Sequence, residues 1–219
     1  MKADSFFITG TSTEVGKTHF SCLLVSALRQ AGLSVAGYKA IACGDRDDAQ
    51  RLLEVSSHKQ DGSALTLDEI NPLHFKVPAA PLAAAKIENR SFELDGLMLA
   101  YEKLQRDFDC VVSEGVGGWE VPLIADQKVS DLALLLGDPV IVVVDNRLGA
   151  LNHTILTVNA IRARGLECAG LILNQCQPER DAASISNRVI IEETLDVSIL
   201  AEILFEQTEL DPGFTDQIL

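Results

Sequence analysis

The sequence predicts an α/β fold: one doubly wound domain over residues 1–219, with a mainly parallel sheet and helices on both faces. Three observations predict it. Apolar runs alternate with segments of helical spacing along the whole chain. The clearest run, Val140 to Val144, is apolar at every residue, as strands covered on both sides are. Several runs end on a polar residue where a loop begins, and in a parallel sheet those ends share one edge, where ligands bind. Thr9, Lys39, Glu114, Asp145 and Asn174 stand at such ends, so they are expected to converge.

The first strand, Phe6-Phe7-Ile8-Thr9, follows Met1 to Asp4 with no basic-then-apolar leader before it. Gly10 to Thr18 reads as a phosphate-binding loop. It precedes a helix whose apolar residues Phe20, Leu23, Leu24, Ala27 and Leu28 share one face. The first N–H groups of that helix lack partners and carry the positive end of its dipole, so they suit an anion. Lys17 is expected to reach the outer phosphates and the Thr18 hydroxyl to meet Mg²⁺. The spacing is a variant, because the first glycine falls at Gly10, with Thr11 five residues before Gly16.

Gly32 ends the helix, and Val35 to Lys39 reads as a second strand closing on a lysine. A loop, Ala40 to Arg46, leads to a helix opened by Asp47 and Asp48. One of these caps it and the other complements its dipole, or one meets Mg²⁺. Ser56 to Arg90 is the least regular stretch, with prolines and a short helix over Leu82 to Ile87. Leu94 to Phe108 has helical spacing and delivers the chain to Cys110 to Glu114, a strand ending in a carboxylate placed for Mg²⁺. The glycines at 115, 117 and 118 suggest backbone lying against a ligand.

Val140 to Asp145 is the next strand, and the helix from about Leu151 to Arg164 starts at a second candidate anion site. The strand Ala169 to Asn174 ends on an amide that reads a base edge or caps a turn. A helix over Ala183 to Leu195 and a strand over Ser198 to Ile203 complete the pattern.

With 47% hydrophobic residues the chain can bury a large core, and no apolar run is long enough to span a bilayer, so a cytoplasmic protein is expected. The formal charge of −14 disfavours nucleic acid and anionic membranes, which bind through Lys and Arg. The five cysteines include no C-x-x-C pair, which fits a reducing compartment; Cys22, Cys110 and Cys168 are expected in the core.

Taken together, the loop Thr11-x-Thr13-Glu14-Val15-Gly16-Lys17-Thr18, Gly37-Tyr38-Lys39, Glu114-Gly115-x-Gly117-Gly118-Trp119, Leu148-Gly149-x-x-Asn152-His153 and Asn174 resemble the dethiobiotin synthetase family, of P-loop NTPase type, from Ser5 to about Phe205. The resemblance implies an ATP- and Mg²⁺-dependent ligase. In that reaction 7,8-diaminononanoate takes up CO₂ or bicarbonate as a carbamate, ATP phosphorylates it, and the second amine closes the ureido ring, giving dethiobiotin, ADP and phosphate. By the family pattern Lys39 is the principal catalytic residue, with Lys17 and Thr13. Thr13 to Thr18, Asp48, Glu114, Gly117 and Asn174 hold the nucleotide, and Thr18, Asp48 and Glu114 gather Mg²⁺. Thr13, Lys39 and Cys43 meet the diamine, and Gly149, Ala150, Leu151 and Asn152 of a second subunit in a homodimer meet its far carboxylate.

Two departures stand out. Ala40-Ile41-Ala42-Cys43-Gly44 replaces a Pro-Val-x-Ser-Gly pattern, exchanging a hydroxyl for a thiol, and Ile203-Leu204-Phe205 lacks a proline often found beside adenine. The alternatives are a partitioning or positioning ATPase switch, which carries an extra lysine where this chain has Ser12, and a ligase of the cobyrinate a,c-diamide synthase type, which carries a glutaminase domain where nothing follows Leu219. An inactive relative is a third, hinted at only by Cys43.

Overall fold

A computed structural model describes residues 5–219; the expected lead-in, residues 1–4, lies outside the described residues. Six strands form the main sheet in the order β2-β5-β1-β6-β7-β8: β1 Phe6–Gly10, β2 Val35–Tyr38, β5 Cys110–Glu114, β6 Val140–Asp145, β7 Cys168–Asn174 and β8 Ile199–Ile203. Every neighbouring pair is parallel. From central β1 the chain first runs to the edge at β2, returns inward through β5, and then crosses β1 to wind outward through β6, β7 and β8.

Alternate side chains point to opposite faces of each strand, which divides the core in two. Phe6, Ile8, Val112, Ile141 and Val143 pack under helix α1, Lys17–Gln30, through Phe20, Leu24 and Leu28. Phe214, from the C-terminal segment, joins that side with its ring 6.2 Å from the Phe20 ring. On the other face Phe7, Val111, Val140, Val142 and Val144 meet α5 Leu94–Asp107, α6 Val129–Leu136, α7 Ala150–Ala163 and α8 Ala182–Thr194. The expected helix–sheet layering is present, and no helix among the described residues is long and apolar enough to cross a membrane.

The structure corrects the reading of two stretches. The loop expected over Ala40 to Arg46 contains a strand, β3 Ile41–Cys43, which pairs in parallel with β4 Leu73–Phe75 as a separate two-stranded sheet. The irregular stretch contains β4 and α3 Leu67–Ile70, neither expected, besides the expected short helix, which is α4 Pro81–Ile87. Thr66 and Glu69 form a capping box that starts α3, each side chain accepting from the other's backbone N–H. Neither Asp47 nor Asp48 caps helix α2, Asp47–Val55: Arg46 holds the cap position, and both acids lie in the first turn, beside the positive end of the dipole. Of the cysteines expected in the core, Cys110 is buried, while Cys22 and Cys168 are half-buried at its margin.

Candidate active site

The loop between β1 and α1 is shaped by backbone that turns its N–H groups inward. Glu14 and Gly16 take positive φ values of 59° and 89°, the left-handed conformation that makes an anion-binding concavity when it alternates with ordinary backbone. Thr11 N–H bonds to Val143 O at 3.1 Å, which fastens the loop to β6. A Cβ on Gly16 would lie 2.1 Å from Asn174 Nδ2, so only glycine fits. The Asn174 amide nitrogen donates to Val15 O at 2.9 Å and to Cys176 Sγ at 3.3 Å. This amide is thus a brace between β7 and the phosphate loop, beyond the two roles read from sequence.

Lys17 donates to Ser12 O at 3.0 Å, arching over its own loop. Burial, and then the nearby charge of Lys39, push its pKa down to about 8. Lys39, just past β2, is 3% exposed. Its Nζ lies 2.5 Å from Glu114 Oε1, 2.9 Å from Asp48 Oδ2 and 3.3 Å from Gly115 O. Burial disfavours the ammonium, but the Glu114 and Asp48 carboxylates outweigh it and raise the pKa above the ordinary lysine value. Asp48 is likewise held below the usual carboxylate range, Lys39 prevailing over the penalty of burial. Thr18 Oγ1 donates to Glu114 Oε1 at 2.8 Å. Thr18 of α1, Asp48 of α2, Glu114 of β5 and Lys39 just past β2 therefore form one cluster, whereas Asp47 is exposed.

The cluster borders a cavity of about 460 Å³ lined by Thr13, Glu14, Gly16, Lys17, Thr18, Lys39, Cys43, Asp48 and Gly117 among the residues expected from sequence. Val15 is buried behind the loop and Glu114 beneath it. Burial pushes the Cys43 thiol up to about 11, so it stays protonated at neutral pH. A second, mainly apolar cavity shares Gly16 and His19 with the first and adds Asn174, Gln175, Cys176, Leu204, Phe205, Glu206 and Thr208. One polar and one apolar chamber joined at the loop match the phosphates and base of a nucleotide.

Gly149, Ala150, Leu151 and Asn152, at the start of α7, line neither cavity. Ala150 is buried, Leu151 half-buried, and Gly149 and Asn152 exposed. Sequence reasoning passed over His19, Asp45, Arg51 and Val116 in the first cavity and Gln175, Cys176, Glu206 and Thr208 in the second, whereas Leu204 and Phe205, singled out for the missing proline, do line the second. Arg51 had a readable signal: it lies three residues after Asp48, on the same helix face.

The geometry has parallels in known proteins. Residues 4–209 match the family described as AAA domain. The ATP-dependent dethiobiotin synthetase BioD of Akkermansia muciniphila is 46% identical over 207 residues, 94% of this chain and 95% of that one. The chain belongs to the ATP-dependent dethiobiotin synthetase family. The BioD of Pseudomonas aeruginosa is 39% identical over 196 residues, covering 84% of this chain and 85% of its own.

Solved structures share the fold of this synthetase family at lower identity. The septum site-determining protein MinD of Pyrococcus horikoshii, complexed with Mg-ADP, has a TM-score of 0.59 at 18% identity, covering all of this chain and 86% of that one. Cobyrinic acid a,c-diamide synthase of Mycobacterium smegmatis, with bound ATP analog and magnesium, has a TM-score of 0.58 at 17% identity, covering 96% and 87%. The positioning-ATPase and diamide-synthase alternatives weighed on sequence are thus neighbours in fold alone.

Proposed function

We propose that this chain closes the ureido ring of dethiobiotin from 7,8-diaminononanoate, CO₂ and ATP, with Lys39 as the central catalytic residue. The observation that carries the reading is the Lys39 ammonium, fixed by two carboxylates beside the phosphate loop. With its pKa raised, Lys39 stays cationic and does not act as a base. It offsets the negative charge of the carbamate and of the phosphoryl group passing to it, the electrostatic work such a transfer requires. Lys17, partly neutral without ligand, becomes a full cation once phosphates lie against it. Thr13 and Cys43 border the same cavity and would contact the diamine.

The residues fit Mg²⁺. Glu114 Oε2 is buried with no hydrogen-bond partner, an acceptor awaiting a cation. Two carboxylates and the Thr18 hydroxyl are the hard oxygen donors Mg²⁺ takes when phosphates and water complete its shell. Bound there, Mg²⁺ would offset charge on the outer phosphates. Asn174 Oδ1 and the apolar wall of Leu204 and Phe205 would receive adenine.

A homodimer in the cytoplasm completes the proposal, with the partner subunit's α7 start receiving the diamine's carboxylate. Exposed Leu148, at 78%, beside exposed Gly149 and Asn152, supports it. The test is phosphate release from ATP with Mg²⁺ and bicarbonate, with and without the diamine, together with mass detection of dethiobiotin. Diamine-dependent release matched by dethiobiotin is the expected result; release indifferent to the diamine would overturn the assignment.

A further inference from the structure

Lys39 is the first residue beyond β2, where the chain leaves the main sheet and crosses to the small one. Neither of its backbone polar groups has a main-sheet partner. Its N–H bonds to Ile70 O at 2.9 Å, and its carbonyl accepts from Asn71 Nδ2 at 2.7 Å. Asn71 is 1% exposed, and the same Nδ2 reaches Leu73 O at 3.1 Å. Its Oδ1 accepts from Arg46 Nε at 2.9 Å, which fixes the rotation of the amide. Arg46 also donates to Asn71 O at 2.8 Å and Leu67 O at 3.1 Å. Asn71 precedes Pro72, which confines its backbone to the extended region, and its φ of −131° and ψ of 82° lie outside the helical wells.

Arg46 is itself the cap residue of α2, the helix that presents Asp48. One chain of hydrogen bonds therefore runs from the Lys39 backbone through the Asn71 amide to the start of that helix. We propose that Asn71, oriented by Arg46, is a positioning residue: it sets where the Lys39 ammonium stands relative to Asp48 and Glu114. The proposal rests on the reading of Lys39 as the catalytic cation and adds a residue that touches neither ATP nor diamine. Neither Asn71 nor Arg46 bonds to the phosphate loop, so breaking this chain is expected to change ATP binding less than turnover.

Asn71→Asp keeps the shape of the side chain but removes its donor, turning an oxygen toward the Lys39 carbonyl. The folded variant is expected to lose at least about tenfold in kcat, as displaced catalytic groups do, with KM for ATP within about twofold. A purely structural role would not open the Lys39 site. The second readout is therefore the rate at which an amine-acylating N-hydroxysuccinimide ester labels Lys39, followed by peptide mass; it is expected to rise severalfold.

Arg46→Met, at a less buried position, should move both readouts the same way by less, which keeps the test alive if Asn71→Asp does not fold. Asp68→Ala removes only the exposed ion-pair partner of Arg46 and should change neither. A folded Asn71→Asp with a lower Tm but unchanged kcat and labelling would overturn the proposal. Faster labelling with unchanged kcat would uphold the positioning and instead refute Lys39 as the catalytic cation.

Discussion

Lys39 Nζ and Glu114 Oε1 stand 2.5 Å apart, with neither side chain more than 4% exposed, and Asp48 approaches the same ammonium from the half-exposed side. A cation buried against two carboxylates is held by mutual dependence. Removing it leaves buried negative charge with nothing to offset it. Lys39→Met should therefore destabilise the fold by about 3 kcal/mol, and Lys39→Met with Glu114→Gln should recover part of that loss. Urea unfolding of the single and double variants measures the coupling. Activity behaves differently: both variants should lose about 10²–10³ in kcat, because the double variant restores no cation.

Gly16→Ala should impair ATP binding and stability together. The left-handed backbone alone costs a β-carbon about 1–2 kcal/mol, and the new atom would strike Asn174. Gly16→Ala with Asn174→Ala removes the collision and keeps the backbone strain. Its Tm should lie between wild type and Gly16→Ala, with KM for ATP still raised in both.

Cys43→Ser should increase kcat. The buried thiol stays protonated and donates weakly, whereas a hydroxyl donates a full hydrogen bond worth on the order of 1 kcal/mol, or about fivefold. The same burial predicts that iodoacetamide labels Cys43 slowly near neutral pH and faster as pH rises toward about 11. Steady-state kinetics and mass-resolved labelling test the two halves separately.

Asp181 caps α8 through Ser184 N–H at 2.6 Å and holds Leu148 N–H at 3.1 Å with its other oxygen. These backbone donors depress its pKa below the ordinary 3.8. A depressed carboxylate stabilises the fold fully above its unfolded pKa, and that contribution is lost as pH falls through the lower folded value. Asp181→Ala should thus lower the urea midpoint at neutral pH, and the gap from wild type should close in strong acid. Since Leu148 adjoins the α7 start, KM for the diamine should rise while KM for ATP holds.

The parallel sheet was legible because its strands are buried on both faces and read as unbroken apolar runs, Val140 to Val144 above all. The polar strand ends were legible for the same reason, since a charged residue closing such a run has few other uses. The small sheet was not: β3 and β4 have three residues each, too short for a period to show, and their paired residues, such as Ile41 and Leu73, lie 32 positions apart. Asp47 and Asp48 are equivalent on a helix's first turn until the position of Lys39 separates them. The bipolar amide of Asn174 was legible as polar chemistry at a strand end, but the bond of its nitrogen to Val15 O is a pairing no local pattern encodes. Asn71 lies before Pro72 in the stretch that read as irregular, where no period or motif marks it.

The strand order carries a consequence for how the protein is made. β1 is synthesised first, yet its partners come late: Phe6 pairs with Val112 and Gly10 with Val143. The loop that follows β1 is anchored by the same Val143, through its carbonyl, and later still by Asn174. A nascent chain paused before β7 holds the phosphate-loop sequence but lacks Asn174, the brace that holds Val15 O. Closing such distant pairs makes folding slow, and ATP can pull the equilibrium only once the last anchor has arrived. During biosynthesis the ligand is a judge of the finished product, with no hand in assembling it.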